Sequence, residues 1–417
     1  MELQKNLPKL TLGVVQKTVL SLFIILVSFG IGYLLGVGEP KIKKADRPKV
    51  EIDRSLPEGK TVDFSLFWRV WDTLELRYLD KEKLIPEDMI YGAIQGMVAA
   101  IKDPYTAFLP PEENKVVQED LRGNFGGIGI NIGYVGTQLA VIAPLPKTPA
   151  EKAGIKAGDF IIGIKDEEKG IDVSTSGMSL PQAVQIIRGE EGTKITLSLL
   201  RKGEEEPIVV DVVRGKIDVP SVELTYLGED KTIAHLKLTK FGGETKEEWE
   251  SAVSELLKNP DLKGIVLDLK NNTGGYLQSA VEIASDFVKT GSVVAIQENS
   301  DGTKENYKTE GIPRLLRYKV VVVVNKGSAS ASEILAGALR DLKKIKIVGE
   351  TTFGKGTIQE PIQLEDGSGL HITTARWLTP LGYWVNDKGL EPDIKIEDNS
   401  ETIEDEQFLE AVRILKS

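Results

Sequence analysis

Between Val62 and about Asp103, apolar residues recur at helical spacing. Phe64, Phe67, Trp68 and Trp71 form one stripe, and Met89, Ile90, Ile94, Met97 and Val98 form another. That period predicts a small helical unit. Asp103-Pro-Tyr-Thr and Pro110-Pro111 close it. From Gly123 the texture changes. Ile128, Ile130 and Ile132 alternate with small or polar residues, which predicts a half-buried strand. Val141-Ile142, the run after Ala157 and the run after Lys194 read as further strands. Ala150 to Ala153 and Leu180 to Arg188 read as helices. Short strands with two helices make a compact module.

From Val219 the pattern becomes α/β. Gly264-Ile-Val-Leu-Asp-Leu is a buried strand, and Leu277, Ala280, Val281, Ala284, Phe287 and Val288 keep helical spacing. Val320 to Val324 is an unbroken valine run, expected where a strand is covered on both faces. Ile334, Leu335, Ala338, Leu339 and Leu342 follow as a helix, then Ile345 to Val348 as a strand. Thr245 and Glu248 have the spacing of a capping box. Strands alternating with helices predict a mainly parallel sheet.

At 417 residues the chain has room for two or three domains. Lys plus Arg total 52 and Asp plus Glu 63, a net charge of −11. An acidic surface repels phosphates, so no nucleic acid partner is expected. There are no cysteines, which excludes disulfides, thiolate metal sites and cysteine nucleophiles. With no His-x-x-x-His pattern either, neither a metal nor another cofactor is expected. Thr18 to Gly38 carries no charge and as a helix would span roughly 31 Å, close to the bilayer core. Lys5, Lys9 and Lys17 precede it, which favours a cytoplasmic N-terminus. A membrane anchor is expected, with a cleaved signal peptide as the competing reading.

The candidate chemistry lies between residues 326 and 359. Lys326-Gly-Ser-Ala-Ser-Ala-Ser-Glu-Ile puts small residues and hydroxyls where the valine strand turns into a helix. A hydroxyl there would feel the positive end of the helix dipole. Spacing alone does not choose among Ser328, Ser330 and Ser332, and an N-cap role is the plainer reading for any of them. No Gly-x-Ser-x-Gly elbow is present. A serine nucleophile needs a base. His235 and His371 both lie in alternating strands and read as strand-surface residues, so a serine–lysine pair is the natural candidate.

Lys355 stands between Gly354 and Gly356. It could act as a base only if burial or nearby positive charge lowers its pKa. If residues 355 to 359 are extended, Lys355, Thr357 and Gln359 share a face, and Gln359 could orient the amine. Gly349-x-x-x-x-Gly354-Lys355 also fits a phosphate-binding loop up to its last position, where Gly356 replaces the required hydroxyl. Asn272-Thr-Gly-Gly follows a strand and could cradle a phosphate or an oxyanion with its N–H groups. Asp341, further along the serine's helix, reads as a partner of Arg340 or Lys343.

Together these motifs resemble the carboxyl-terminal processing peptidases, tail-specific serine proteases with a Ser/Lys dyad. Gly327-Ser-Ala-Ser-Ala-Ser-Glu-Ile, Thr352-Phe-Gly-Lys-Gly-Thr-Ile-Gln and Gly389-Leu-Glu-Pro-Asp carry the resemblance in order. The middle module resembles the family's PDZ domain. Its carboxylate-binding loop would be Phe125, Gly126, Gly127, Ile128, Gly129 and Ile130. The resemblance implies an α/β crotonase-like peptidase core, a PDZ domain and an N-terminal helical segment. It implies Ser330 as nucleophile, Lys355 as general base and Gln359 as the residue orienting it. The N–H groups of Ala331 and of Gly274 or Gly275 would form the oxyanion hole. Arg188 fits the place of an arginine that couples tail binding to the active site in some members. Thr379-Pro-Leu-Gly-Tyr-Trp-Val-Asn departs from the more polar run expected there.

The expected organisation is a cytoplasmic N-terminus at 1–17, an anchor at 18–38, a linker at 39–60 and a helical segment at 61–118. A PDZ domain at 119–217, a peptidase core at 218–398 and a C-terminal helix at 399–417 follow. The expected protein is a single-pass membrane serine endopeptidase with its catalytic part outside the cytoplasm, or a secreted one if residues 1–38 are removed. Protein substrates with free, apolar C-termini are expected, with a homo-oligomer, a dimer in many members, and room for an activating adaptor. Readings from other classes make distinct predictions. A silent PDZ scaffold would ignore Ser330→Ala, and a nucleotide-binding protein would lose magnesium-dependent ATP affinity in Lys355→Ala.

Overall fold

The structure, a computed structural model, describes residues 63–204, 206–228, 230–397 and 405–417. The expected anchor at 18–38 and linker at 39–60 lie outside these residues. Among those described, no helix is long and apolar enough to cross a membrane. The chain forms two units, one up to Met89 and one from Ile90 to Ser417. In the first, α1 (Ser65–Arg77) buries Trp71, while Phe64 and Leu66 stay exposed. The next helix, α2 (Pro86–Ala99), opens on proline with Glu87 and Asp88 in its first turn, where the helix dipole favours acids. Of its apolar stripe only Val98 is fully buried.

In the second unit, β1 (Ala107–Leu109) and α3 (Pro111–Arg122) lead to Gly123, whose left-handed φ of 94° ends the helix. A small β module follows: β2 (Asn124–Gly127), β3 (Ile130–Val135), β4 (Gln138–Pro144), α4 (Pro149–Lys152), β5 (Phe160–Asp166), β6 (Ile171–Ser174), α5 (Leu180–Ile187), β7 (Lys194–Leu200), β8 (Ile208–Val213) and β9 (Gly215–Asp218). Its antiparallel sheet runs β3-β4-β5-β7-β8, with β6 beside β5. The entry and exit strands β2 and β9 pair with each other. The alternation that predicted a strand from Ile128 is only partly realised. Ile128 precedes β3 and is 1% exposed, a core residue beside Leu139, Ile161 and Leu197.

One buried ion pair ties this module together. Arg214 donates to Asp166 Oδ2 at 2.7 Å, to the carbonyls of Ile186 and Ile187, and to Thr193 Oγ1. Both side chains are 1% exposed. Burial pushes the Asp166 carboxyl up, but the Arg214 hydrogen bond and charge and the Lys169 N–H outweigh it and hold it below its ordinary range. Arg214→Met should cost about 3–5 kcal/mol, because it strands a buried carboxylate. In the wild type, Asp166 contributes stability above the ordinary aspartate pKa, and that stability is lost as pH falls through its depressed value. The Arg214→Met penalty should therefore shrink as pH falls and Asp166 protonates, which thermal unfolding at neutral and acidic pH measures.

The rest is α/β: β10 (Val222–Leu227), β11 (Ile233–Leu238), α6 (Thr245–Leu257), β12 (Gly264–Asp268), α7 (Leu277–Phe287), β13 (Val293–Asn299), β14 (Lys304–Lys308), β15 (Lys319–Val324), α8 (Ala331–Lys343), β16 (Lys346–Gly349), β17 (Thr357–Gln363), β18 (Gly369–Leu378), β19 (Ile394–Lys395) and α9 (Glu406–Lys416). The main sheet runs β10-β11-β12-β15-β16-β19, parallel except for β10 at the edge. The valine run is buried on both faces. Val320, Val322 and Val324 pack in the larger core with α6, α7 and α8, and Val321 and Val323 pack against α9. A second sheet, β1-β18-β13-β14 with β17 on β18, brings Ala107 opposite His371.

Two local expectations change. Thr245 and Glu248 do not form a capping box. Glu244 occupies the N-cap position of α6 with no side-chain cap bond, and Glu248 reaches across to accept from the N–H groups of Ser221 and Val222. His235 lies on the face of its strand but is half-buried rather than free at the surface. It pairs with Asp268 at 3.1 Å and packs against Phe408 of α9 in a tilted contact, with centroids 4.4 Å apart.

Candidate active site

The parallel strands β12 and β15 end side by side, and the candidate residues follow their C-terminal ends. The structure separates the three serines by their surroundings. Ser328 is fully buried, and its hydroxyl donates to Leu269 O at 2.8 Å and accepts from Asn325 N. Ser332 is fully buried and donates to Asn272 O at 2.8 Å. Both hydroxyls tie the turn to the loop after β12. Ser330 is the one left partly exposed, at the N-cap of α8. Its φ of 55° and ψ of −115° are a conformation that L-residues avoid, at a cost of about 1–3 kcal/mol. The elbow motif is absent from the sequence, yet a strained strand-to-helix turn is present.

Glu333 connects this turn to the lysine. Its carboxylate is fully buried. Oε2 accepts from the N–H of Ser330 at 2.8 Å and of Lys355 at 2.9 Å, while Oε1 accepts from Gly354 N at 2.8 Å and from Thr352 Oγ1. Burial pushes the carboxyl up and outweighs these donors, which oppose it, so Glu333 sits above its ordinary range. All of them suit an ionised acceptor. Thr352 Oγ1, the one hydroxyl among them, is itself taken by the N–H of Leu390. Glu333 is thus a clamp that fixes the backbone of Ser330 against that of Lys355.

The loop carrying Lys355 is braced from the other side. The Trp377 indole donates to Lys355 O at 2.9 Å, the Trp384 indole donates to Gly356 O at 3.0 Å, and Gly356 N donates to Asn386 Oδ1. The segment from Thr379 to Asn386, atypical in sequence, serves here as a support for that loop. Gly354 has φ +88°, and a Cβ on it would lie 2.8 Å from Gly389 N, so only glycine fits. These contacts exclude a phosphate loop. The N–H groups of Gly354 and Lys355 already face a carboxylate, and the chain runs into strand β17 rather than a helix.

Lys355 is partly buried, and burial pulls its ammonium pKa below the ordinary lysine value, while Asp103 pulls it back up. Gln359 does not orient the amine in this structure. Strand β17 starts at Thr357, with a bulge between Ile358 and Gln359, so Thr357 and Gln359 meet on one face while Lys355 lies before the strand. The Gln359 amide donates instead to Thr357 Oγ1 at 2.9 Å and Thr373 Oγ1 at 3.2 Å.

The glycine pair after β12 lies against the serine. A Cβ on Gly274 would fall 2.8 Å from Ser330 Cβ and 3.0 Å from Ala331 N. Gly274 N–H is spent on Asn272 Oδ1 at 2.9 Å. Among the described residues, the N–H groups of Gly275 and Ala331 donate no hydrogen bond. An oxyanion could take both. Asp341 lies 3.9 Å from Arg340 and accepts from Leu381 N, apart from this chemistry.

In the β module, Gly129 has φ +76° and could not carry a side chain, because Thr148 would lie 2.4 Å from its Cβ. Among the described residues, the N–H groups of Ile128 and Gly129 donate no hydrogen bond. They precede β3, which has one free edge and α5 packed against it. Ile130 and Ile132 are partly buried there, whereas Ile128 points into the core rather than lining a groove. Gly126 O accepts from Gly189 N, and Phe125 lies under the Arg188 guanidinium at 4.0 Å. Arg188 also pairs with Asp120 at 2.8 Å.

Sequence reasoning missed Glu333, although Ser330-x-x-Glu333 is the spacing of a capping box. It also missed Asp103, Tyr105 and Thr106, which read only as a turn, and the indoles of Trp377 and Trp384.

Residues 232–396 match the signature of peptidase family S41, and residues 141–201 match a PDZ domain. The chain is 36% identical over 372 residues to the carboxy-terminal processing protease CtpB of Bacillus subtilis (strain 168), covering 88% of this chain and 75% of that protein. It is 36% identical over 316 residues to CtpA of the same organism, covering 76% of this chain and 66% of that protein. A solved structure assigned to the S41 proteases, from Bacteroides fragilis NCTC 9343, shares the fold at a TM-score of 0.54 and 15% identity, covering 87% of this chain and 99% of that one. The chain belongs to peptidase family S41 and is a carboxy-terminal processing serine protease with a PDZ domain.

Proposed function

We propose that this protease captures the free C-terminus of a protein substrate in its PDZ domain and cleaves a peptide bond with a Ser330–Lys355 dyad. The observation that carries this reading is the pairing of a strained, accessible Ser330 with a partly buried Lys355 across the Glu333 clamp. Lys355 in its amine form takes the Ser330 proton, and Oγ attacks the carbonyl carbon. The N–H groups of Ala331 and Gly275 take the oxyanion, and the ammonium returns its proton to the leaving amine. Water then attacks the acyl-enzyme with Lys355 again as base. Gln359 joins the site in this reading by approaching Lys355 once substrate is bound.

The tail adds as a strand to the free edge of β3, its carboxylate on the N–H groups of Ile128 and Gly129. Arg188, whose Nη1 is buried without a partner among the described residues, couples that event to the active site. The core is crotonase-like in this reading. The enzyme is anchored by residues 18–38 with its catalytic part outside the cytoplasm, works as a homo-oligomer and takes an adaptor where activation requires one.

The test uses a peptide ending in apolar residues, as free acid and as C-terminal amide. The free acid should be cleaved with a KM at least about tenfold lower, since the amide loses a charge-assisted contact. Equal cleavage of both would remove tail recognition from the reading. Retention of the peptide without cleavage would favour a scaffold.

A further inference from the structure

The segment Asp103-Pro-Tyr-Thr has no assigned role, yet the fold carries it to the base. It precedes β1, whose partner β18 also holds His371 and Thr373. The ring of Tyr105 faces Lys355 Nζ at 5.0 Å from its centroid, within the range of a cation–π contact. Asp103 accepts from Thr106 Oγ1 at 2.6 Å and from Tyr105 N at 3.1 Å, so one carboxylate fixes the ring's backbone. Thr106 Oγ1 in turn accepts from Thr373 N, and Thr373 Oγ1 accepts from Gln359.

Resting on the dyad reading, we propose that Asp103 and Tyr105 are positioning residues for the base, holding the Lys355 ammonium that forms when Ser330 gives up its proton. Lys355 is the protein group that gains charge in that step, while the matching negative charge develops on the substrate oxygen. The ring face and the carboxylate both interact more strongly with the ammonium than with the amine. They therefore act on the state that resembles the transition state, as the aspartate does for histidine in a Ser-His-Asp triad. Asp103 is suited to this. Burial pushes its carboxyl up, but the bonds from Thr106, Thr373 and Tyr105 and the charge of Lys355 outweigh it and hold it below its ordinary range. The other ionisable groups around this pocket are Glu333, whose carboxylate is consumed by backbone donors, Asp387, and His371, which burial and Lys355 hold below its ordinary value.

The direction of the Lys355 pKa separates this role from a structural one. Its value can be read without substrate, from the pH dependence of competitive acetylation of Lys355 followed by mass spectrometry. Asp103→Asn and Tyr105→Leu should each lower it by about one pH unit, with Tyr105→Phe restoring it. The ascending limb of the kcat/KM profile should move down with it, and the plateau should fall about tenfold. If the two residues only shape the pocket, substitution lets in water, and the Lys355 pKa stays or rises towards the ordinary lysine value. Either of those results overturns the proposal. Failure of the wild type to cleave peptides would sink the dyad reading, while the acetylation test would still decide whether the pair acts on Lys355.

Discussion

Ser330→Ala is expected to abolish peptide cleavage, by about 10,000-fold or more in kcat, with the fold and tail binding intact. No neighbouring hydroxyl can substitute. Ser328 and Ser332 lie on either side, but both are fully buried and donate to backbone carbonyls. Alanine at 330 keeps the backbone bond to Glu333, because that bond uses the N–H and not the side chain. Lys355→Ala should lose activity to a similar extent, and the double variant should lose little more, since in the proposed dyad the pair acts as a unit.

The lysine carries a further signature. Its pKa is lowered by burial, so between that depressed value and the ordinary lysine value the unfolded state binds more protons, and stability rises with pH. Lys355→Met removes a partly buried charge and should raise the unfolding temperature at neutral pH while eliminating activity. Activity of the wild type should rise with pH through the same depressed pKa, because only the amine is a base. Cleavage retained in Ser330→Ala, or a stability loss in Lys355→Met, would contradict the assignment.

Glu333→Gln should be the most damaging conservative change in the protein. The amide keeps the volume but replaces one acceptor oxygen with a donor. That donor must face an N–H or hydroxyl from among Ser330, Thr352, Gly354 and Lys355, since these occupy both oxygens. A buried donor–donor conflict plus loss of charge should cost about 3 kcal/mol of stability. The spacing of Ser330 and Lys355 should relax as well, and a displacement near 1 Å at a reacting pair can cost about 100-fold. The expected pattern is kcat down about 100-fold with KM for the free-acid peptide within a few-fold, because the proposed tail capture lies in the PDZ domain. Steady-state kinetics beside thermal unfolding separate the effects. Unchanged kcat in a folded Glu333→Gln would show that the clamp does not set the dyad.

The sequence alone determined the kind and order of the elements. The valine run implied a strand covered on both faces, and it is one: alternate valines meet helices from opposite sides. Alternation of strands and helices implied the parallel sheet, and the hydroxyl-rich turn and the glycine-flanked lysine marked the candidate chemistry before any geometry was known. Periodicity and spacing report what each segment must bury, and burial is local to the segment.

Tertiary structure decided what depends on residues far apart in sequence. Spacing left three serines of equal standing and only the family resemblance chose Ser330; the physical difference among them appears once Leu269 and Asn272 engage Ser328 and Ser332. Gly275 was distinguished from Gly274 only because Asn272 takes the N–H of the latter. Glu248 left its own helix terminus to satisfy the N–H groups of Ser221 and Val222, since an unmet buried donor costs more than an imperfect cap. Asp103 and Tyr105 lie about 250 residues before Lys355, and only the pairing of β1 with β18 brings that segment to it. Hydrogen-bond partners and electrostatic neighbours are properties of the folded chain, and no local pattern encodes them.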